Sequence, residues 1–200
     1  MIEKSSSAIE MKLTDKDVVF CKEFPHSFEL YIRVSLLGSS LLQQARVLNT
    51  NVHSGSSTGE SSFEFSFAFH TYFALQSGIE NTGIRNMQNL SYLDSLQNRI
   101  TKTESESIVK FKGEVDRIYL HAPDTIEIID GSKRTVEIKK SGLSDAVLWN
   151  PFVEKSASLK DFGDDEWRAM VCCECTQAGS GMIKLERGEE WQGYQRLTRL

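Results

Sequence analysis

Residues 61–73 read SSFEFSFAFHTYF, and Phe63, Phe65, Phe67 and Phe69 recur there with a period of two. That is the spacing of a β-strand with one buried aromatic face, because successive strand side chains point to opposite sides of a sheet. Glu64, Ser66, Ala68 and His70 then share the other face. Burial of each ring is worth about 1.5 to 3 kcal/mol, so a one-residue slip that exchanged the faces would be costly. His70 is thereby held at a strand end on a small, polar surface. A lone histidine in such a place is also compatible with a solvated or purely structural side chain.

Working outward, residues 28–36 alternate Phe28, Leu30, Ile32, Val34 and Leu36 with Glu29, Tyr31, Arg33 and Ser35. The pattern predicts a half-buried strand, turned at Gly38 to Ser40 into a second strand over 41–49. Residues 11–20 end a strand and turn, and the Gly/Ser-rich segment 51–62 predicts an exposed loop. Short strands are expected within 75–100. A longer one is expected over 108–119, with Val109, Phe111 and Val115 on one face and Lys110, Lys112, Glu114 and Asp116 on the other. Asp130-Gly131 between two β-branched runs predicts a hairpin joining 125–129 to 134–140. DAVLWNP (145–151) predicts a short strand stopped by proline. Only 162–167 invites a helical turn. In 169–175, Val171, Cys173 and Cys175 share one face, and Met170, Cys172 and Glu174 the other. A carboxylate in so apolar a run needs a partner or a role, because desolvating it costs several kcal/mol; a Glu reaching water at a strand edge is the other reading. A last hairpin is expected between 182–185 and the segment from Trp191. Nine or ten strands with hairpin turns and almost no helix predict an all-β fold of antiparallel sheets packed face to face, in one domain over residues 1–200.

Composition narrows the function. A net charge of -5 gives no footprint for a polyanion, so no nucleic-acid partner is expected. Neither a secretory leader nor a run of about 18 apolar residues is present, so a cytoplasmic chain without a membrane partner is expected. Cys21, Cys172, Cys173 and Cys175 lack the paired C-x-x-C spacing of a structural zinc site and are expected to be free thiols, with no metal.

Six short motifs stand in a recognisable order: Phe69-His70-Thr71-Tyr72-Phe73; Tyr92-Leu93-Asp94; Gly113-Glu114-Val115-Asp116-Arg117-Ile118-Tyr119; Asp145-Ala146-Val147-Leu148-Trp149-Asn150-Pro151; Asp161-Phe162-Gly163-Asp164-Asp165-Glu166; and Val171-Cys172-Cys173-Glu174. From about Phe24 to Gln195 the chain resembles the glucose-6-phosphate 1-epimerases, hexose-6-phosphate mutarotases of the aldose 1-epimerase superfamily. The Gly-Asp-Asp-Glu-Trp stretch is most similar to the plant-type members. The resemblance implies a large twisted antiparallel β-sandwich of the galactose mutarotase type, a sugar cleft on its concave face, no cofactor, and interconversion of the α and β anomers of glucose 6-phosphate by a monomer. It places the general acid at His70, the general base at Glu174 and a sugar-hydroxyl ligand at Asp116.

The chain also departs from that family. The family's N-terminal R-G-G-I-P, F-P-Q-F-G and H-G-F-A-R segments have no counterpart, and with them go a second histidine, a glutamine and the arginines that grip the phosphate. An N-terminally incomplete sandwich is therefore expected, with apolar surface uncovered near its first strands and with His70 and Glu174 both unusually exposed. None of Arg33, Arg46, Arg85, Arg99 and Arg117 takes the phosphate-gripping role by motif. The resemblance leaves two functions open: a mutarotase, or a carbohydrate-binding sandwich without turnover.

Overall fold

The computed structural model describes residues 7–17, 24–51 and 61–200; Cys21 and most of the 51–62 loop lie outside the described residues. Among the described residues seventeen strands are numbered in chain order. The first nine are β1 (Ala8–Thr14), β2 (Phe28–Leu37), β3 (Ser40–Asn49), β4 (Phe63–Phe65), β5 (Phe67–Phe69), β6 (Tyr72–Ala74), β7 (Thr82–Arg85), β8 (Ser91–Asp94) and β9 (Ile100–Thr103). There follow β10 (Ile108–Lys110), β11 (Val115–Tyr119), β12 (Thr125–Asp130), β13 (Lys133–Ser141), β14 (Asp145–Asn150), β15 (Met170–Gln177), β16 (Ile183–Leu185) and β17 (Glu190–Arg199), with one helix, α1 (Phe152–Ser158), between β14 and β15.

Two antiparallel sheets carry the fold. One runs β1-β2-β3-β17-β13-β12-β7-β10, and the other runs β5-β15-β14-β11-β8-β9 with β6 also on β15. Between them lies one apolar core. Ala45, Ile84, Val109, Ile126, Ile128 and Ile138 face it from the first sheet, and Phe69, Tyr119, Ala146, Leu148, Val171, Cys173 and Cys175 from the second. The hairpins at Gly38 and at Asp130-Gly131 form as expected, the latter with a bulge between Ile128 and Ile129. Glycine supplies the left-handed backbone that both turns need, at φ 59° and 69°. Cys172, Cys173 and Cys175 are unpaired thiols. Among the described residues no helix is long and apolar enough to cross a membrane.

Four expectations need correction, for related reasons. The phenylalanine stretch is two strands rather than one: β4 pairs with β16 in a small separate ribbon, whereas β5 pairs with β15. Phe63 is buried with Val47 and Leu185, and Phe69 joins the main core, so the alternation survives although the strand does not. Residues 108–119 are likewise divided: β10 lies in the first sheet and β11 in the second, with the bend between them spanning the core into which Val109, Phe111 and Val115 all point. Periodicity reports which side chains face a core, and two sheets that share a core share the period. β16 and β17 form no hairpin, because β16 is taken by β4 and β17 is inserted between β3 and β13. Finally, the helix is at Phe152–Ser158, with only a 3-10 turn at Glu166–Ala169. Pro151, at φ -69° and ψ -19°, stops the strand as expected and stands just before that helix.

Candidate functional site

The pairing of β15 builds the site. Phe69 is paired with Cys175 and Tyr72 with Cys172, so the residues between the two short strands, His70 and Thr71, come opposite Glu174 and Cys173. The Thr71 N–H donates to the Phe69 carbonyl at 2.9 Å, making a tight turn with His70 at its apex. That turn is anchored across the sandwich. The fully buried Gln195 of β17 donates from Nε2 to Thr71 Oγ1 and to Gln43 Oε1, both at 2.7 Å.

His70 Nδ1 lies 3.1 Å from Glu174 Oε1. The two side chains differ in environment. That of His70 is 56% exposed, whereas that of Glu174 is 8% exposed, so the expectation that both would be open to solvent holds for the imidazole alone. Glu174 lies in a strand that is buried from Met170 to Thr176, on both of its faces. Tyr72 stacks on His70 with ring centres 5.0 Å apart and planes within 7°, and Trp149 meets both rings edge-on. Burial, and after it the negative charge of Asp116, push the Glu174 carboxyl up to about 7. Burial also raises the Tyr72 hydroxyl and the Cys172 thiol.

Cross-strand register places Asp116 in the same group. Cys172 is opposite Trp149, and Trp149 is opposite Asp116, so the three side chains form one row across β15, β14 and β11 on the sheet face that carries Glu174. This face is turned away from the sandwich core, which takes the alternate residues Cys173, Leu148 and Tyr119. All three residues singled out in the sequence, His70, Asp116 and Glu174, thus reach one surface. Sequence reading passed over Tyr72, Trp149 and Cys172 as site residues, although the alternation that puts Cys172 with Glu174 was visible.

Beside His70 an open cleft of about 550 Å³ runs to the first sheet, with Ile32, Leu41, Gln43 and Leu197 as its far wall. The arginines are largely committed elsewhere. Arg117 is 2.9 Å from Glu104, which also accepts from the Tyr119 hydroxyl, and Arg46 is 2.8 Å from Glu190. A buried carboxyl group beside an accessible imidazole can take a proton from one atom of a ligand and give one to its neighbour.

Residues 2–198 match the model of the family described as aldose 1-epimerase. The chain belongs to that family. This aldose 1-epimerase family member is 41% identical, over 174 residues, to a protein of Cenchrus ciliaris named "Putative glucose-6-phosphate 1-epimerase", a match covering 86% of this chain and 50% of the relative. Among solved structures, a protein of Salmonella typhimurium named "putative mutarotase" superposes with a TM-score of 0.78 at 21% identity, over 96% of this chain and 59% of the other. A galactose mutarotase-like protein of Clostridium acetobutylicum gives 0.70 at 16% identity, over 100% and 64%. The family member described here therefore has the galactose mutarotase-like β fold, and it spans about half the length of the plant relative.

Proposed function

We propose that this aldose 1-epimerase family member interconverts the α and β anomers of a hexose 6-phosphate, glucose 6-phosphate first among them. The observation that carries the reading is the 3.1 Å contact between His70 and Glu174 on the aromatic-rimmed sheet face. Anomerisation needs a base at the C1 hydroxyl and an acid at the ring oxygen, and both oxygens are bonded to C1, so the two groups that serve them must be neighbours. Glu174 removes the hydroxyl proton as the C1 carbonyl forms. The bond from C1 to the ring oxygen breaks, and the ring oxygen takes a proton from His70. Rotation about C1–C2 turns the aldehyde, and the reverse steps close the ring on its other face. Asp116, one row along the same face, accepts from sugar hydroxyls, and Trp149 supplies an apolar ring face for the sugar to lie against.

The test is the equilibration of α-glucose 6-phosphate followed by polarimetry or exchange NMR, with buffer as the control. The expected result is a rate above buffer that falls about 10² to 10⁴-fold in Glu174→Gln and in His70→Ala. A parent chain no faster than buffer sinks the reading. A second reading, sugar binding without turnover, is favoured by the commitment of Arg46 and Arg117 to acidic partners, which leaves neither ready to grip a phosphate. It predicts calorimetric heat on titration with the sugar phosphate and no excess rate.

A further inference from the structure

His70, Cys172 and Glu174 present one nitrogen, one sulfur and one oxygen that all lie within 4.8 Å of one another. Cys172 and Glu174 point the same way because they are two residues apart on β15, and His70 approaches them from the turn between β5 and β6. A four-coordinate zinc ion holds nitrogen and oxygen ligands at about 2.0 to 2.2 Å and sulfur at about 2.3 Å, which puts neighbouring ligand atoms roughly 3.5 Å apart. His70 and Glu174 are already inside that spacing at 3.1 Å. Drawing the Cys172 sulfur in asks for about an ångström of side-chain movement, and His70, with 56% of its side chain exposed, is free to supply much of it.

We propose that His70, Cys172 and Glu174 bind one thiophilic divalent cation of the zinc or cadmium class, and that the bound ion excludes the sugar from the site. Nitrogen, thiolate and carboxylate together suit zinc or cadmium and not magnesium or calcium, which take oxygen ligands. The thiol gives up its proton to solvent on binding, and the Tyr72 hydroxyl favours the thiolate by donating a hydrogen bond to it. Asp116, whose charge is felt at Glu174, adds to the attraction for a cation. Three protein ligands leave the fourth position open, and bound water fills it. The exclusion of sugar rests on the proposed mutarotase site; the binding of metal does not.

The experiment is a titration of the full chain with cadmium chloride in chelator-free buffer and without sugar, read by the ultraviolet thiolate-to-cadmium charge-transfer absorbance. One equivalent is expected to bind, to be displaced by zinc, and to persist in Cys21→Ser. His70→Ala, at an exposed position that leaves the core untouched, and Glu174→Gln are each expected to weaken binding at least about tenfold, no less than loss of an outer-shell partner usually costs. Cys172→Ala is expected to abolish the absorbance, and zinc is expected to raise the melting temperature of the parent but not of His70→Ala. No absorbance up to millimolar cadmium, or undiminished affinity in His70→Ala, overturns the site. Under the mutarotation assay, zinc is expected to raise the apparent KM; an unchanged KM at saturating zinc overturns the exclusion of sugar while leaving the metal titration to be judged separately.

Discussion

Asp116 and Glu174 are carboxylates of one face with different settings. Asp116 lies partly open, opposite Trp149, whereas Glu174 is almost wholly covered and feels Asp116 as a like charge. The division of labour proposed for them follows from that difference: the covered group moves protons and the more open one accepts hydrogen bonds from hydroxyls. Asp116→Ala is accordingly expected to raise the KM for the sugar phosphate about tenfold, the worth of one hydrogen bond to a charged group. A KM equal to that of the parent would remove Asp116 from the sugar contacts. His70 and Glu174 were legible at this scale because each is a polar residue set in a strongly periodic apolar context. Tyr72 and Trp149 were not, since an aromatic residue in an alternating strand fits a core equally well.

At the scale of elements, the ends of β14 and β15 are tied together by one carboxylate. Asp145 is fully buried at the start of β14. Its Oδ2 accepts the backbone N–H groups of Ala178, Gly179 and Ser180 at 3.2, 2.7 and 2.8 Å, and its Oδ1 accepts that of His121 at 3.2 Å. Burial alone would raise this carboxyl, but the hydrogen bonds from Ser180, Gly179 and Ala178 outweigh it and hold the group below its ordinary 3.8. A carboxyl depressed in the folded chain contributes stability that is fully present above its unfolded value and is lost as pH falls through the folded one. Denaturant unfolding is therefore expected to show Asp145→Asn about 2 to 3 kcal/mol less stable than the parent near neutral pH, with the gap narrowing below about pH 4. A gap that stayed constant with pH would show that the charge plays no part. The sequence showed the strand 145–150 but not this tie, because its partners are backbone groups of a loop beyond the next strand.

Over the whole molecule, the first sheet ends at β1, which among the described residues pairs with β2 alone. β1 is an edge strand whose Ile9, Met11 and Leu13 are 60%, 50% and 39% exposed, and Leu36 and Leu37 of β2 are exposed near it. Unpaired strand edges with apolar side chains associate. Light scattering is expected to show concentration-dependent association of this chain, and Met11→Lys is expected to reduce it without lowering the melting temperature. A parent that stayed monomeric at every concentration would contradict the expectation drawn from this edge. The phenylalanine residues of 63–69 are covered in part: Phe63 and Phe69 are 3% and 7% exposed, whereas Phe65 and Phe67 are half-buried.

Alternation in the sequence determined which side chains of each strand face apolar neighbours, because the two faces of a strand follow from backbone geometry and from no other part of the chain. It therefore put His70 opposite the phenylalanines, Glu174 opposite Cys173 and Cys175, and Asp116 away from Val115, all of which the fold keeps. It was silent on where a strand stops and which strand lies beside it. Those choices split 61–73 and 108–119 between sheets, gave β16 to β4, and set His70 against Glu174. They depend on pairing and burial between segments far apart in the chain, and only the assembled sheets select among them.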